Sequence, residues 1–147
     1  MGIHCEIVSY NRLVFKGDVD MVLIPGINGE MGILPHHAPL LTLLKIGVVK
    51  VRYMEQEDFY AISGGLAHVQ ADAITILADT AENVDEIDVE RAEAAKKRAQ
   101  DLLSKERPHM DMHEVLAIEA ALRLSNLRLD TVRRYRSRRK SISIERS

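Results

Sequence analysis

The period of the apolar residues changes once along this chain, just after Asp79, and no other feature constrains the fold as much. Before that point come brief β-branched runs such as "IHCEIVS", "RLVFKG", "VDMVLIP", "GVVKVRY", "DFYAIS", "LAHVQ" and "AITILAD". Many of them alternate apolar with polar residues, so a strand built from them buries one face and wets the other. Gly, Asp or Asn separates them, and "SGG" at residues 63–65 and "QAD" at 70–72 read as turns between neighbouring strands. Short strands at this spacing predict an antiparallel sandwich or barrel.

Beyond Asp79 the spacing becomes helical. Asp85 or Asp88 offers an N-cap, after which Ala92, Ala95, Ala99 and Leu102 recur every three or four residues and share a face. Pro108 breaks the pattern, lacking an amide hydrogen and opposing helix in the residue before it. A second helix is expected from Met112, with Val115, Ile118, Leu122, Ser125, Leu129 and Val132 along one seam. A parallel seam of Leu116, Ala120, Leu124 and Leu127 runs beside it. Two helices joined by so short a loop form an antiparallel hairpin. One alanine-rich face cannot cover both seams, so the surplus needs the strand domain or another protein. The predicted class is α+β, with strands over residues 1–84, a hairpin over 85–136 and a basic, fraying tail over 137–147.

Composition narrows the classes of function. At 147 residues and 46% apolar content the chain suffices for one domain or two small ones. No apolar run is long enough to span a bilayer, and the start does not read as a secretory leader. "MGIHCE" places Glu6 where a myristoylation site needs Ser or Thr. Cys5, the single cysteine, excludes an internal disulfide framework and fits a reducing compartment. The net charge of -2 hides opposed halves: twelve acids against five bases up to Glu86, then ten acids against fifteen bases. Such asymmetry implies two units with different partners.

The motifs argue against chemistry. Gly26, Gly29 and Gly32 are spaced three apart with no Lys-Ser or Lys-Thr following, so this is no phosphate-binding P-loop. His36 and His37 are adjacent, and adjacent side chains on an extended chain point to opposite faces, so no metal site is expected. There is no nucleophile elbow, no H-E-x-x-H and no paired-cysteine pattern, and Ser63 reads as turn chemistry. The tail's arginines, with Tyr135 among them, suit nucleic-acid phosphates, an acidic protein surface or plain solvent.

Three stretches then carry a resemblance. "GEMGILPHHAPLLTLLKIGVV" (29–49), "ISGGLAHVQADAITILADTAE" (62–82) and "IDVERAEAAKKRA" (87–99) resemble, in order, the signatures of the epsilon subunit of F-type ATP synthases. The resemblance implies a β-sandwich followed by a two-helix hairpin. It implies a non-catalytic rotor subunit, in keeping with motifs that offer no catalytic residue, no metal site and no required cofactor. Its partners would be the gamma subunit, the ring of c subunits and, for an extended hairpin, the alpha–beta hexamer. By the same resemblance Gly29, Glu30, Met31 and Gly32 form a protruding loop facing the ring. Arg123, Arg128, Arg133 and Arg134 would latch the extended hairpin to an acidic segment of the beta subunit and block ATP hydrolysis.

Some family members bind ATP as a regulatory ligand through I-D-x-x-R-A, which Ile87, Asp88, Arg91 and Ala92 match. Those members add two arginines four apart on the second helix, whereas Arg123 and Arg128 lie five apart. Five helical steps turn two side chains about 140° apart, so this pair would not clasp one triphosphate. The implied location is the cytoplasmic face of a bacterial plasma membrane, peripheral and not inserted, with a plastid-encoded member as the alternative. Two rival functions are an ATP-sensing regulatory module and a nucleic-acid-binding module acting through the tail.

Overall fold

The computed structural model describes residues 2–10 and 12–136, so the basic stretch 137–147 lies outside the described residues. Among the described residues eight strands come first: β1 (Ile3–Ser9), β2 (Arg12–Val19), β3 (Met21–Gly26), β4 (Gly29–Ile33), β5 (Leu40–Tyr53), β6 (Gln56–Val69), β7 (Ala73–Ala78) and β8 (Ala81–Asn83). Two helices follow, α1 (Val89–Lys105) and α2 (Met112–Thr131).

β5 and β6 are 14 residues each and pair antiparallel from Leu40 opposite Val69 to Tyr53 opposite Gln56. They are long enough to serve two layers. The Leu40–Leu44 end of β5 and the Gly65–Val69 end of β6 continue the sheet to β7, β1 and β2. The opposite ends pair with β3 and β8, and β3 carries β4. A sandwich results, with its core between the layers.

"SGG" is therefore not a turn. Residues 63–65 lie inside β6, where Gly64 and Gly65 take φ of 116° and 150° and bend the strand from one layer to the other. A Cβ on Gly65 would sit 2.1 Å from the Leu77 carbonyl oxygen, so no side chain fits there. "QAD" is a turn, closed by Gln70 N–H donating to Ala73 O at 2.7 Å. One pairing departs from the antiparallel expectation: β1 and β7 run parallel, with Cys5 opposite Ile74 and Ile7 opposite Ile76. The long excursion through the second layer supplies the crossover that parallel neighbours need.

The alternation does what its period requires. Ile3, Cys5 and Ile7 of β1 point inward against Ile74 and Ile76 of β7, and Val22, Ile24, Val49, Val51 and Ile62 fill the opposite side. Burial pushes the Cys5 thiol up to about 12, which keeps it protonated and unreactive at neutral pH.

The hairpin begins where Asp88, not Asp85, caps α1 by accepting from Arg91 N–H at 3.2 Å. A 3-10 turn at Arg107–His109 holds Pro108 at its start, and Asp111 caps α2 through Glu114 N–H at 2.8 Å. Ala92 and Ala99 are buried and Ala95 half-buried against the first seam of α2, whereas Leu102 is exposed and Leu103 turns inward. Ser125 is also buried, its hydroxyl donating to Ala121 O at 3.1 Å, so small residues on both helices permit close approach. The helix ends in a wider π turn at Val132–Arg136.

The turn joining β5 to β6 gave no sequence signal, because Met54 and Glu55 both take positive φ, 50° and 61°, without being the Asn, Asp or Gly that favours it. Two left-handed residues are what a two-residue hairpin of this twist demands. Replacing the pair by Asn-Gly is expected to raise the unfolding free energy by about 1 kcal/mol, measured by urea denaturation of the full chain.

Candidate docking surfaces and clefts

The stretch expected to protrude as a loop is a strand. Gly29, Glu30, Met31 and Gly32 lie in β4, paired with β3 so that Glu30 faces Pro25 and Met31 faces Ile24. Met31 packs half-buried against the core and does not point outward, while Glu30 is exposed on the sheet edge. The correction follows from alternation: within a strand, neighbours take opposite faces. The true tip of this hairpin is Ile27 and Asn28, both exposed, with Gly29 at φ 136° closing it. His36 and His37 sit beyond β4, and no group of His, Cys, Asp or Glu among the described residues is placed to hold a metal ion.

An apolar row on the outside of the first layer went unread in the sequence. Leu43 of β5 lies opposite Leu66 of β6, Leu66 opposite Leu77 of β7, Leu77 opposite Val8 of β1, and Val8 opposite Leu13 of β2. Leu43, Leu77 and Leu13 are 57%, 49% and 54% exposed, and Leu41 extends the row at 64%. Five strands thus align apolar side chains toward water in one continuous line, as an interface does and a free surface seldom does. The signal was available: "LLTLL" and "AITILA" are apolar in both phases of the strand period.

The helical hairpin is folded back onto the second layer by a small set of contacts. Arg128 grips Glu82 of β8 with both ends of its guanidinium, at 2.6 and 2.8 Å. Tyr135 stacks on Phe59 of β6 with ring centroids 4.5 Å apart. Arg136 donates to the carbonyls of Val84 and Ile87, the latter at 2.8 Å. Only the C-terminal half of α2 is covered, and Met112 and Leu116 at the other end stay 71% and 52% exposed.

The four arginines of the expected latch are therefore in different situations. Arg128 is engaged by Glu82, Arg133 lies 3.7 Å from Asp130, and Arg123 and Arg134 face a cleft between α2 and β5. Asp88, Arg91 and Ala92 line a second cleft, about 470 Å³, together with Arg98, Arg128 and the acids Glu82 and Glu86. Ile87 is buried outside it. Arg123 and Arg128 open onto opposite sides of the helix, as their spacing requires; the arginine that joins the motif is Arg98, seven residues and two turns beyond Arg91.

Comparison with known proteins fits this architecture of strand sandwich and folded hairpin. Residues 2–84 match the family model described as ATP synthase, Delta/Epsilon chain, beta-sandwich domain, and residues 85–133 match that of the long alpha-helix domain. An ATP synthase epsilon chain from Dehalococcoides mccartyi is 44% identical over 89% of this chain and 92% of its own length. One from Desulforamulus reducens is 44% identical over 80% of this chain and 89% of its own. Among solved structures, a chain of the Euglena gracilis mitochondrial ATP synthase, in a complex of OSCP, F1 and c-ring, superposes with TM-score 0.71 at 26% identity, covering 86% of this chain and 78% of that one. A Tetrahymena thermophila central stalk and c-ring structure shares the fold at TM-score 0.56 and 13% identity, covering 90% and 97%. The chain belongs to the ATP synthase delta/epsilon chain family, as its epsilon-type motifs imply.

The Arg128–Glu82 pair is about one-third exposed, so its worth is discounted to about 1 kcal/mol. Arg128→Ala should raise the opening equilibrium of the hairpin about fivefold. Amide hydrogen exchange would read this as faster exchange across α2, with the protection of β5 and β6 unchanged.

Proposed function

We propose that the chain is a non-catalytic subunit of the central stalk, one that helps transmit ring rotation to the catalytic hexamer and whose hairpin restrains ATP hydrolysis. The observation that carries this reading is the apolar row from Leu43 to Leu13, an uncovered stripe on a chain of this family. Its natural cover is the gamma subunit. The tip at Ile27 and Asn28, with Glu30 on the adjoining edge, then meets the c-subunit ring. Such a chain sits at the membrane by its partners, since no helix among the described residues is long and apolar enough to cross one. Its place is the cytoplasmic face of a bacterial plasma membrane.

The brake reading draws on the unequal burial of α2. Folded, the hairpin hides one seam and half of the other, leaving Met112 and Leu116 to be covered elsewhere. Extended into the alpha–beta hexamer, it would bury them and exchange Glu82 for an acidic partner at Arg128, with Arg123, Arg133 and Arg134 adding to the latch. Two states with competing contacts of similar worth are what a switch needs. Removing the residues after Glu86 should raise ATP hydrolysis by the assembled complex severalfold, and the intact complex should lose inhibition as salt is added. Unchanged hydrolysis after truncation would refute the brake. Leu43→Asp with Leu77→Asp should abolish co-purification with the synthase while leaving the isolated chain folded.

A second reading adds ATP as a regulatory ligand of the folded hairpin. It is favoured by Arg91 and Arg98 facing one cleft beside Asp88, with no ion pair to either guanidinium among the described residues. Titration calorimetry with ATP tests it; no heat at about millimolar nucleotide removes the reading.

A further inference from the structure

The cleft between α2 and β5 is separate from the one that holds the I-D-x-x-R-A residues. It measures about 450 Å³, a volume typical of small-molecule sites, and lies where two structural units meet. Its walls come from opposite bodies: Lys45 to Val48 of β5 with Pro25 of β3 on one side, and Arg123, Leu127 and Asp130 of α2 with Arg134 of the π turn that follows it on the other. Those helical positions step by four, three and four residues, so they form one line along the groove.

Two features give the cleft a chemical character. The first is a break in the sheet. The β3–β5 register runs from Met21 to Leu23, then slips before resuming at Gly26 opposite Leu44. Pro25 has no amide hydrogen to offer a neighbour, and its ring packs where a Cβ on Gly47 would stand, only 2.8 Å away. The strand wall at Ile46 and Val48 is thereby an apolar floor with the ladder interrupted. The second is unbalanced charge. Among the described residues no ion pair or hydrogen bond engages the side chains of Lys45, Arg123 or Arg134, whereas Arg107, Arg128 and Arg133 each have an acidic partner. Glu30 and Asp130 also line the cleft, but Asp130 is drawn to Arg133, leaving three bases against one acid. Apolar floor and basic rim together define an amphipathic anion as the complement.

We propose that this cleft binds a small organic anion, an apolar or aromatic body bearing a phosphate or carboxylate, and that the ligand fastens the hairpin to the sandwich. Fastening follows from geometry: a ligand touching both walls is held only when the hairpin is folded, so binding must favour that state. The inference stands whether or not the chain brakes hydrolysis, because it concerns the isolated chain.

Phenyl phosphate is a suitable probe, titrated into the full chain with amide chemical shifts as the readout. Saturable shifts are expected at Ile46, Gly47 and Leu127, with slower hydrogen exchange across α2. Inorganic phosphate and phenol, each carrying half of the chemistry, should bind at least about tenfold more weakly. The triple variant Lys45→Gln, Arg123→Gln and Arg134→Gln should weaken binding about tenfold or more, since charge-assisted contacts are lost, while Arg91→Gln in the other cleft should leave it unchanged. Shifts confined to Asp88 and Arg91, equal binding of inorganic phosphate, or indifference to the triple variant would each overturn the proposal. Variants that keep wild-type amide dispersion away from the cleft remove misfolding as an explanation.

Discussion

The long antiparallel ladder between β5 and β6 is the constraint on which the rest of the structure hangs. Because each strand serves both layers, the position of its corner fixes how far the layers are offset and which side chains meet between them. The corner depends on backbone that only glycine adopts at Gly65, where a carbonyl of the neighbouring strand occupies the place of a side chain. Every inward residue of β7, β1 and β2 inherits its register from that ladder, and so does every outward one. The apolar row is the outer counterpart of the core: the same alignment that packs Ile74 and Ile76 inward brings Leu43, Leu66 and Leu77 into line outside.

The hairpin is attached on different terms. Its own seam is a close contact of alanine and serine between helices. Against the sandwich it has a bidentate ion pair, one stacked aromatic pair and two side-chain bonds to carbonyls, with a cleft on either side. Polar contacts of this kind are individually modest and partly open to water, unlike the fully dry interior of the sandwich. The molecule thus combines a dry, densely packed block with a unit held to it by few and partly solvated contacts.

Much of this was legible beforehand, for identifiable reasons. The change of period marks the passage from strands to helices because burial on one face imposes the periodicity of the element. Asp88, as one of two candidate caps, and Pro108 were readable as start and stop signals because caps and missing amides act locally. What escaped notice depends on distant pairing. "SGG" has the composition of a turn, and only the pairing of both halves with β5 makes it a corner. Gly29 to Gly32 has the composition of a loop, yet pairing with β3 makes it a strand and turns Met31 inward. The parallel neighbour of β1 lies about seventy residues away, beyond any local signal. Arg98 was overlooked because its relation to Arg91 matters only once the hairpin is folded.

The row of leucines on the outer sheet also bears on how cells must handle this polypeptide. Until something covers it, each copy carries an oily stripe through a crowded aqueous medium, where like stripes attract one another. Overproduction relative to its binding partner would therefore expose the cell to clumping of an otherwise sound molecule. Supply matched to demand is, on this view, a requirement written into the geometry of five adjacent strands.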